Sequence, residues 1–195
     1  MVESSRPDPA ALRQRLQGLN LYLVGMMGAG KSAVGGPLAK ALGYRFLDAD
    51  TTLEQVAGFP IPELFERDGE TGFRELESAV LNRIAGWHSL VVATGGGVVT
   101  RPSNWGELHQ GVVVWLDAPA ELLLGRLRAD STPRPLLAGP EPERRLAELL
   151  EARRPLYAQA DLHIVQAGGP PEAVAQQVLE ALPAVLKERP VAPAP

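Results

Sequence analysis

Five short apolar runs, separated by stretches with helical spacing, constrain this chain more than any other feature. The runs fall at 20–25 (NLYLVG), 44–48 (YRFLD), 89–94 (SLVVAT), 111–117 (GVVVWLD) and 161–166 (DLHIVQ). Four of them are rich in β-branched or aromatic residues and nearly unbroken in apolarity, as in strands covered on both faces. Between them, helical patterns are predicted near 31–42, 51–57, 62–67, 70–86, 119–129, 142–158 and 171–187. In 70–86 the apolar residues Phe73, Leu76, Val80 and Ile84 recur at spacings of three and four, which makes one buried face. Strands alternating with helices predict a parallel sheet with right-handed crossovers. The expected architecture is α/β, a three-layer α/β/α domain on a five-stranded parallel sheet, with its ligand outside the C-terminal strand ends.

The 195 residues suit a single domain with a sizeable core. That domain is expected over 19–187. Residues 1–18 read as a weakly ordered extension. Residues 188–195, with three prolines in "ERPVAPAP", read as a disordered tail.

"GMMGAGKS", residues 25–32, follows the first run and opens the first helical stretch. It matches the pattern G-x-x-x-x-G-K-[ST] in the strand–turn–helix setting that gives the pattern meaning. Its glycines let successive backbone N–H groups turn inward at a positive helix N-terminus, where phosphate oxygens bind. The expected nucleotide-binding set is Gly28, Ala29, Gly30, Lys31, Ser32 and Ala33. Lys31 would reach the β- and γ-phosphates, and the Ser32 hydroxyl would ligate Mg²⁺. ATP and Mg²⁺ are therefore the expected co-substrate and cofactor, and the acceptor is left open.

The second run ends in "FLDAD", so Asp48 and Asp50 are expected to project together toward the same mouth. One would hold the metal through water, and the other would orient the attacking hydroxyl. Asp50 could instead cap the helix that follows. Arg74 lies off the apolar face of its helix, with Glu70 and Glu77 one turn away on either side. It is either half of a solvated ion pair or a guanidinium held for an acidic substrate. Gly95, Gly96 and Gly97 end the third run, where glycine is the poorest strand former. Either the chain turns sharply there, or something bound comes too close for a side chain. Residues 128–142 carry four prolines, one glycine and few apolar anchors, and read as a lid.

Taken in order, the P-loop, "FLDAD", "ELFERDGETGFRELE", "GGGVV", "RPLL" and "RRPLY" resemble shikimate kinase, over roughly residues 19–166. The resemblance implies a nucleoside-monophosphate-kinase-like P-loop fold and ATP-dependent phosphorylation of the 3-hydroxyl of shikimate. By position it implies that Lys31 and Ser32 serve ATP and Mg²⁺, Asp48 the metal, and Asp50 the substrate hydroxyls. Arg74 and Arg153 match two arginines that grip the substrate carboxylate. Gly96, flanked by Gly95 and Gly97, matches a backbone contact to substrate. Arg134 in "RPLL" matches a lid arginine that reaches the phosphates. Lys31, Asp50 and Arg134 are thus the expected catalytic residues. Arg128 is the expected adenine contact, with Arg126 as its substitute.

Three positions depart from the family pattern. Ala33 stands where a second hydroxyl is usual, Gly36-Pro37 interrupts the first helix so that a kink is expected, and "AGGP" at 167–170 lacks a basic residue. Gluconate kinase is a rival of the same fold, and a non-catalytic binding module is another. The latter should have lost one of Lys31, Asp50, Arg74 or Arg153, yet all four are present.

A net charge of −4 argues against a nucleic-acid partner. The absence of cysteine removes disulfides, thiolate metal sites and a cysteine nucleophile. With no signal-like apolar core and no long apolar run, a cytoplasmic protein without membrane contact is expected. No long apolar surface stripe is left over, so a monomer is expected too. His88, His109 and His163 read as surface or packing residues, and Trp87, Trp105 and Trp115 as packing residues.

Overall fold

The computed structural model describes residues 7–130, 132 and 134–186. The expected proline-rich tail, residues 1–6 of the extension and residues 131 and 133 of the expected lid lie outside them. The chain runs α1 (Pro9–Leu16), β1 (Leu21–Val24), α2 (Lys31–Leu42), β2 (Arg45–Asp48), α3 (Ala49–Ala57), α4 (Ile61–Ala85), β3 (Leu90–Ala93), α5 (Pro102–Leu108), β4 (Val112–Asp117), α6 (Ala120–Ala129), α7 (Pro142–Tyr157), β5 (Leu162–Val165) and α8 (Pro171–Ala181). Short 3₁₀ turns cover Val98–Thr100, Pro135–Leu137 and Leu182–Ala184.

All five strands pair in parallel, in the spatial order β2-β3-β1-β4-β5. Alternation along the strands divides the core between the two faces of the sheet. Leu21, Leu23, Val91, Val112, Val114 and Leu116 pack with α2 and α8 on one side. Tyr22, Val24, Leu90, Val92, Val113 and Trp115 pack with α4 and α5 on the other. This is the three-layer α/β/α arrangement expected from the alternating pattern.

Four local features differ from the sequence reading. First, Pro9–Leu16 is a helix capped by Asp8, whose carboxylate accepts from the Ala10 N–H at 3.0 Å. Leu12 and Leu16 lie in the core, so over these residues the expected weakly ordered extension is packed structure. Two apolar side chains four apart make one face, and hydrophobic burial outweighs an otherwise polar composition. Second, α5 falls in a segment with no assigned helix. It is only seven residues long and opens with a proline, too short to show a period. Third, α2 is a single helix that contains Pro37. The carbonyl that would have accepted the missing N–H bond belongs to Ala33, which is exposed and can be solvated. Fourth, Trp87 is about half exposed at 49%, whereas Trp105 and Trp115 are buried.

The expected helices at 62–67 and 70–86 lie end to end within α4 and are separated at Gly69. There φ is 67° and ψ is −178°, a backbone region that only glycine enters freely. The break lets the two halves take different directions.

If α1 is part of the core, Leu16→Ala should destabilise the fold by about 2–5 kcal/mol, the range for burying a cavity where a leucine was. A loosely attached extension would change stability by less than about 0.5 kcal/mol. Urea denaturation of the two proteins separates these outcomes.

Candidate active site

The strand ends converge on one cavity of about 490 Å³. At one end, the turn between β1 and α2 curls through positive φ at Gly25, Gly28 and Gly30, and Gly30 caps α2 without a side-chain oxygen. An added Cβ at Gly28 would meet the α6 backbone and Leu127 at 3.2 Å, so the loop is fitted against that helix. Gly28, Gly30, Lys31, Ser32 and Ala33 line the cavity. Ala29 does not. Its side chain is buried, and its carbonyl accepts from Gln166 Nε2 at 2.8 Å.

Lys31 Nζ donates to the carbonyls of Gly25 and Met26 at 2.8 and 3.1 Å. Desolvation lowers its pKa to about 8, against the favourable charges of Asp50 and Asp48. Burial raises the Asp50 pKa, and the Lys31 charge opposes that shift. A carboxylate held above its ordinary range beside a lysine suits a group that takes a hydrogen bond or proton from an incoming hydroxyl.

The two aspartates share the cavity, but not through the extended geometry expected. Asp48 ends β2 and caps α3, its Oδ1 accepting from the N–H groups of Asp50 and Thr51 at 3.0 and 3.2 Å. Asp50 therefore stands in the first helical turn. The cap that the sequence offered to Asp50 belongs to Asp48, which leaves the Asp50 carboxylate facing the cavity. Asp48 Oδ2 accepts from the Ser32 hydroxyl at 2.5 Å. A hydroxyl and a carboxylate beside a phosphate-binding turn form an all-oxygen donor pair for a small hard cation. Among the described residues no group of three or more acidic or histidine side chains could hold a metal by itself. Mg²⁺, which takes few protein ligands and keeps its waters, fits such a pair.

At the other end lie two arginines that are almost wholly out of water. Arg74 is 7% exposed; its Nη1 donates to Glu77 Oε2 at 2.8 Å and its Nη2 to Glu70 Oε1 at 3.3 Å. Arg74 Nε and Glu77 Oε1 are buried with no protein partner. Burial raises the Glu77 pKa, and Arg74 opposes it. Arg153, on α7, is 5% exposed and reaches the Gly96 carbonyl at 3.4 Å. Among the described residues no carboxylate lies within ion-pair distance of Arg153.

The glycine triplet joins the two ends. A Cβ at Gly97 would fall on the Arg74 guanidinium, and one at Gly95 would lie 2.9 Å from Asp50 Oδ1 and closer still to Glu77. The chain turns sharply here, as the first reading of the triplet has it, and the space that side chains at Gly95 and Gly97 would take is filled by Glu77, Asp50 and Arg74 of the protein itself.

Arg134 also lines the cavity. Its Nη2 donates to Asp130 Oδ2 at 2.8 Å, and its Nε is buried without a partner. The two adenine candidates separate. Arg126 lies on the phosphate turn, its Nη1 donating to the Gly28 carbonyl at 3.0 Å and, with Nη2, to Gln166. Arg128, the residue first expected there, points away and pairs with Glu143 outside the cavity. Residues two apart on a helix face nearly opposite ways, so only one could join the site.

The sequence reading missed several wall residues. Phe65 and Phe73, with ring centroids 4.5 Å apart, form an apolar wall, and Thr94 precedes the glycine turn. Gln166, just past β5, holds the phosphate turn.

The sequence model of the family described as "Shikimate kinase" matches residues 27–183. The chain belongs to the shikimate kinase family. A shikimate kinase from Synechococcus sp. strain RCC307 is 61% identical over 181 residues, spanning 92% of this chain and 93% of that one. The solved "Shikimate kinase from Acinetobacter baumannii in complex with shikimate" superposes with a TM-score of 0.84 at 42% identity. The superposition covers 89% of this chain and 97% of that chain. A gluconokinase from Sinorhizobium meliloti 1021 reaches a TM-score of 0.57 at 19% identity, covering 87% of this chain and 94% of that chain. That likeness concerns the fold alone. Membership in the shikimate kinase family makes the chain a kinase with the P-loop α/β fold.

Because Lys31 loses its proton near pH 8 in the free protein, kcat/KM for ATP should fall as pH rises through about 8. In the ATP complex, phosphate charge keeps the ammonium protonated, so kcat should hold to higher pH. Initial rates at varied ATP between pH 6.5 and 9.5 check this, and parallel declines would count against it.

Proposed function

We propose that the chain transfers the γ-phosphate of ATP to the 3-hydroxyl of shikimate, giving shikimate 3-phosphate and ADP. The observation that carries this reading is the pair of buried guanidiniums, Arg74 and Arg153, opposite the phosphate turn in one cavity. A buried cation without a counter-charge is costly. A substrate carboxylate supplies that charge, and the planar guanidinium fork suits its geometry. A neutral or cationic acceptor would leave Arg153 unpaired.

In this reading the triphosphate lies on the N–H groups of the turn, with Lys31 at the β- and γ-phosphates. Ser32 and Asp48 hold Mg²⁺, which when bound offsets charge on the bridging phosphate oxygens. Asp50 accepts the hydrogen bond of the attacking hydroxyl and orients it along the line of transfer. Arg134 neutralises charge on the transferring group as the lid segment closes and excludes water. Positioning and charge compensation do most of the chemistry in phosphoryl transfer. In this reading the protein is a cytoplasmic monomer, with ATP as the donor.

An ADP-release assay with shikimate and gluconate side by side tests the acceptor. Turnover is expected with shikimate, and turnover with gluconate alone would overturn the assignment. Arg153→Ala leaves no buried carboxylate stranded and so isolates the clamp. KM for shikimate should rise at least tenfold while KM for ATP stays within about twofold. Equal losses for both substrates would remove the clamp from the reading.

A further inference from the structure

Tyr157 does not line the cavity, yet its hydroxyl donates to the Gly96 carbonyl at 2.5 Å. The side chain is fully buried, stacked on Trp115 with ring centroids 5.9 Å apart. All three carbonyls of the glycine turn are held from within the protein. Gly95 accepts from the Val98 N–H at 3.2 Å, and Gly97 from the N–H and hydroxyl of Thr100 at 3.0 and 2.7 Å. Gly96 accepts from Tyr157 and, at longer range, from Arg153. Among the described residues none of the three N–H groups of the turn has a protein acceptor.

There are no cis peptide bonds, and in a trans peptide the C=O and the following N–H point in opposite directions. Fixing the Gly96 carbonyl against α7 therefore fixes the Gly97 N–H on the far side. Gly97 lines the cavity and a Cβ there would fall on Arg74, so this peptide borders the substrate end.

We propose that Tyr157 is a positioning residue for substrate binding, which holds the Gly96–Gly97 peptide so that its N–H stands as a preset donor to the acceptor's oxygens. This rests on the reading that the acceptor is shikimate. Tyr157 touches neither substrate; its hydroxyl also neighbours Arg153 and, at 3.8 Å, Met26 Sδ, and the Gly96 carbonyl is its shortest contact. Burial pushes the phenol pKa up to about 12, so the hydroxyl remains a donor across the working pH range. Its place in the sequence fits the role: four residues after Arg153, it lies on the same face of α7. One helix face thus supplies a cation to the substrate carboxylate and an anchor to the backbone beside it.

Tyr157→Phe keeps the ring and its stacking and removes the hydroxyl, whose shortest bond is the anchor to the Gly96 carbonyl. KM for shikimate is expected to rise about fivefold to tenfold, with KM for ATP within about twofold and Tm within a few degrees of the parent. An unchanged KM for shikimate, or equal rises in both KM values, would overturn the proposal. Should Tyr157→Phe fail to fold, Tyr157→Met, an apolar side chain that equally lacks the hydroxyl, carries the same test. A selective rise in the shikimate KM supports preset donors, and no rise overturns them. A parent protein that releases no ADP with shikimate would instead sink the acceptor assignment. The Gly97 amide resonance then still reports on the anchor: it should shift in Tyr157→Phe, and an unmoved resonance would overturn the positioning.

Discussion

Burying positive charge in one cavity, for a polyphosphate at one end and, in the proposed reading, a carboxylate at the other, is the constraint on which the rest of this molecule depends. Charges taken out of water are costly unless paired. The cavity handles this by alternating signs: Lys31 lies near Asp50, and Arg74 contacts Glu77. Lys31 and Asp50 each oppose the pKa shift that burial forces on the other, and Arg74 opposes the one that burial forces on Glu77. Arg153 breaks the alternation, with a backbone carbonyl where a carboxylate would be expected. In the proposed reading that imbalance is what selects an anionic acceptor. Its fixed charges are arranged for an anion at the arginine end and for phosphate at the lysine end.

The parallel sheet turns this electrostatic scheme into geometry. Because every strand runs the same way, the chain leaves β1, β2 and β3 at the same end of the sheet. The phosphate turn, the Asp48–Asp50 corner and the glycine triplet follow those three strands in turn. At both glycine-rich exits, the absent side chains leave room for α6 on one side and for Arg74, Asp50 and Glu77 on the other. Helix α7 closes the back, bringing Arg153 and Tyr157 to the same glycine turn.

Much of this was legible in the residues because two periodicities, 2 for strands and 3.6 for helices, dominate the core. Gly69 falls where two helical patterns meet, and the break is there. What escaped is physical in origin. Leu12 and Leu16 form a face too narrow to stand out among polar neighbours, although tertiary packing needs only those two contacts. Asp48 and Asp50 were read through strand geometry, yet the helix begins between them because Asp48 can cap it. Arg126 and Arg128 illustrate another limit. A helix directs them to opposite sides, and only the position of the phosphate turn decides which one faces inward. The Tyr157 signal was present as a spacing of four from Arg153, but a tyrosine anchoring a carbonyl looks no different in sequence from one filling a core.

The arginines of the site also differ in how firmly they are committed. Arg74 is tied to a buried carboxylate on its own helix, where little water competes and the geometry is set before any ligand arrives. Arg134 is tied to Asp130, an exposed residue held near pKa 2 chiefly by hydrogen bonds from Thr132. Asp130 is therefore charged at every working pH, but solvent screens the pair and it contributes little. The Thr132 bonds keep Asp130 in place whether or not the arginine stays with it. An arginine so loosely held can exchange its carboxylate for a phosphate oxygen with little net change in solvation, whereas Arg74 cannot leave Glu77 without stranding a buried charge. In the proposed reading the chain thus places its fixed cation where the acceptor is recognised and its exchangeable cation where charge appears only during transfer.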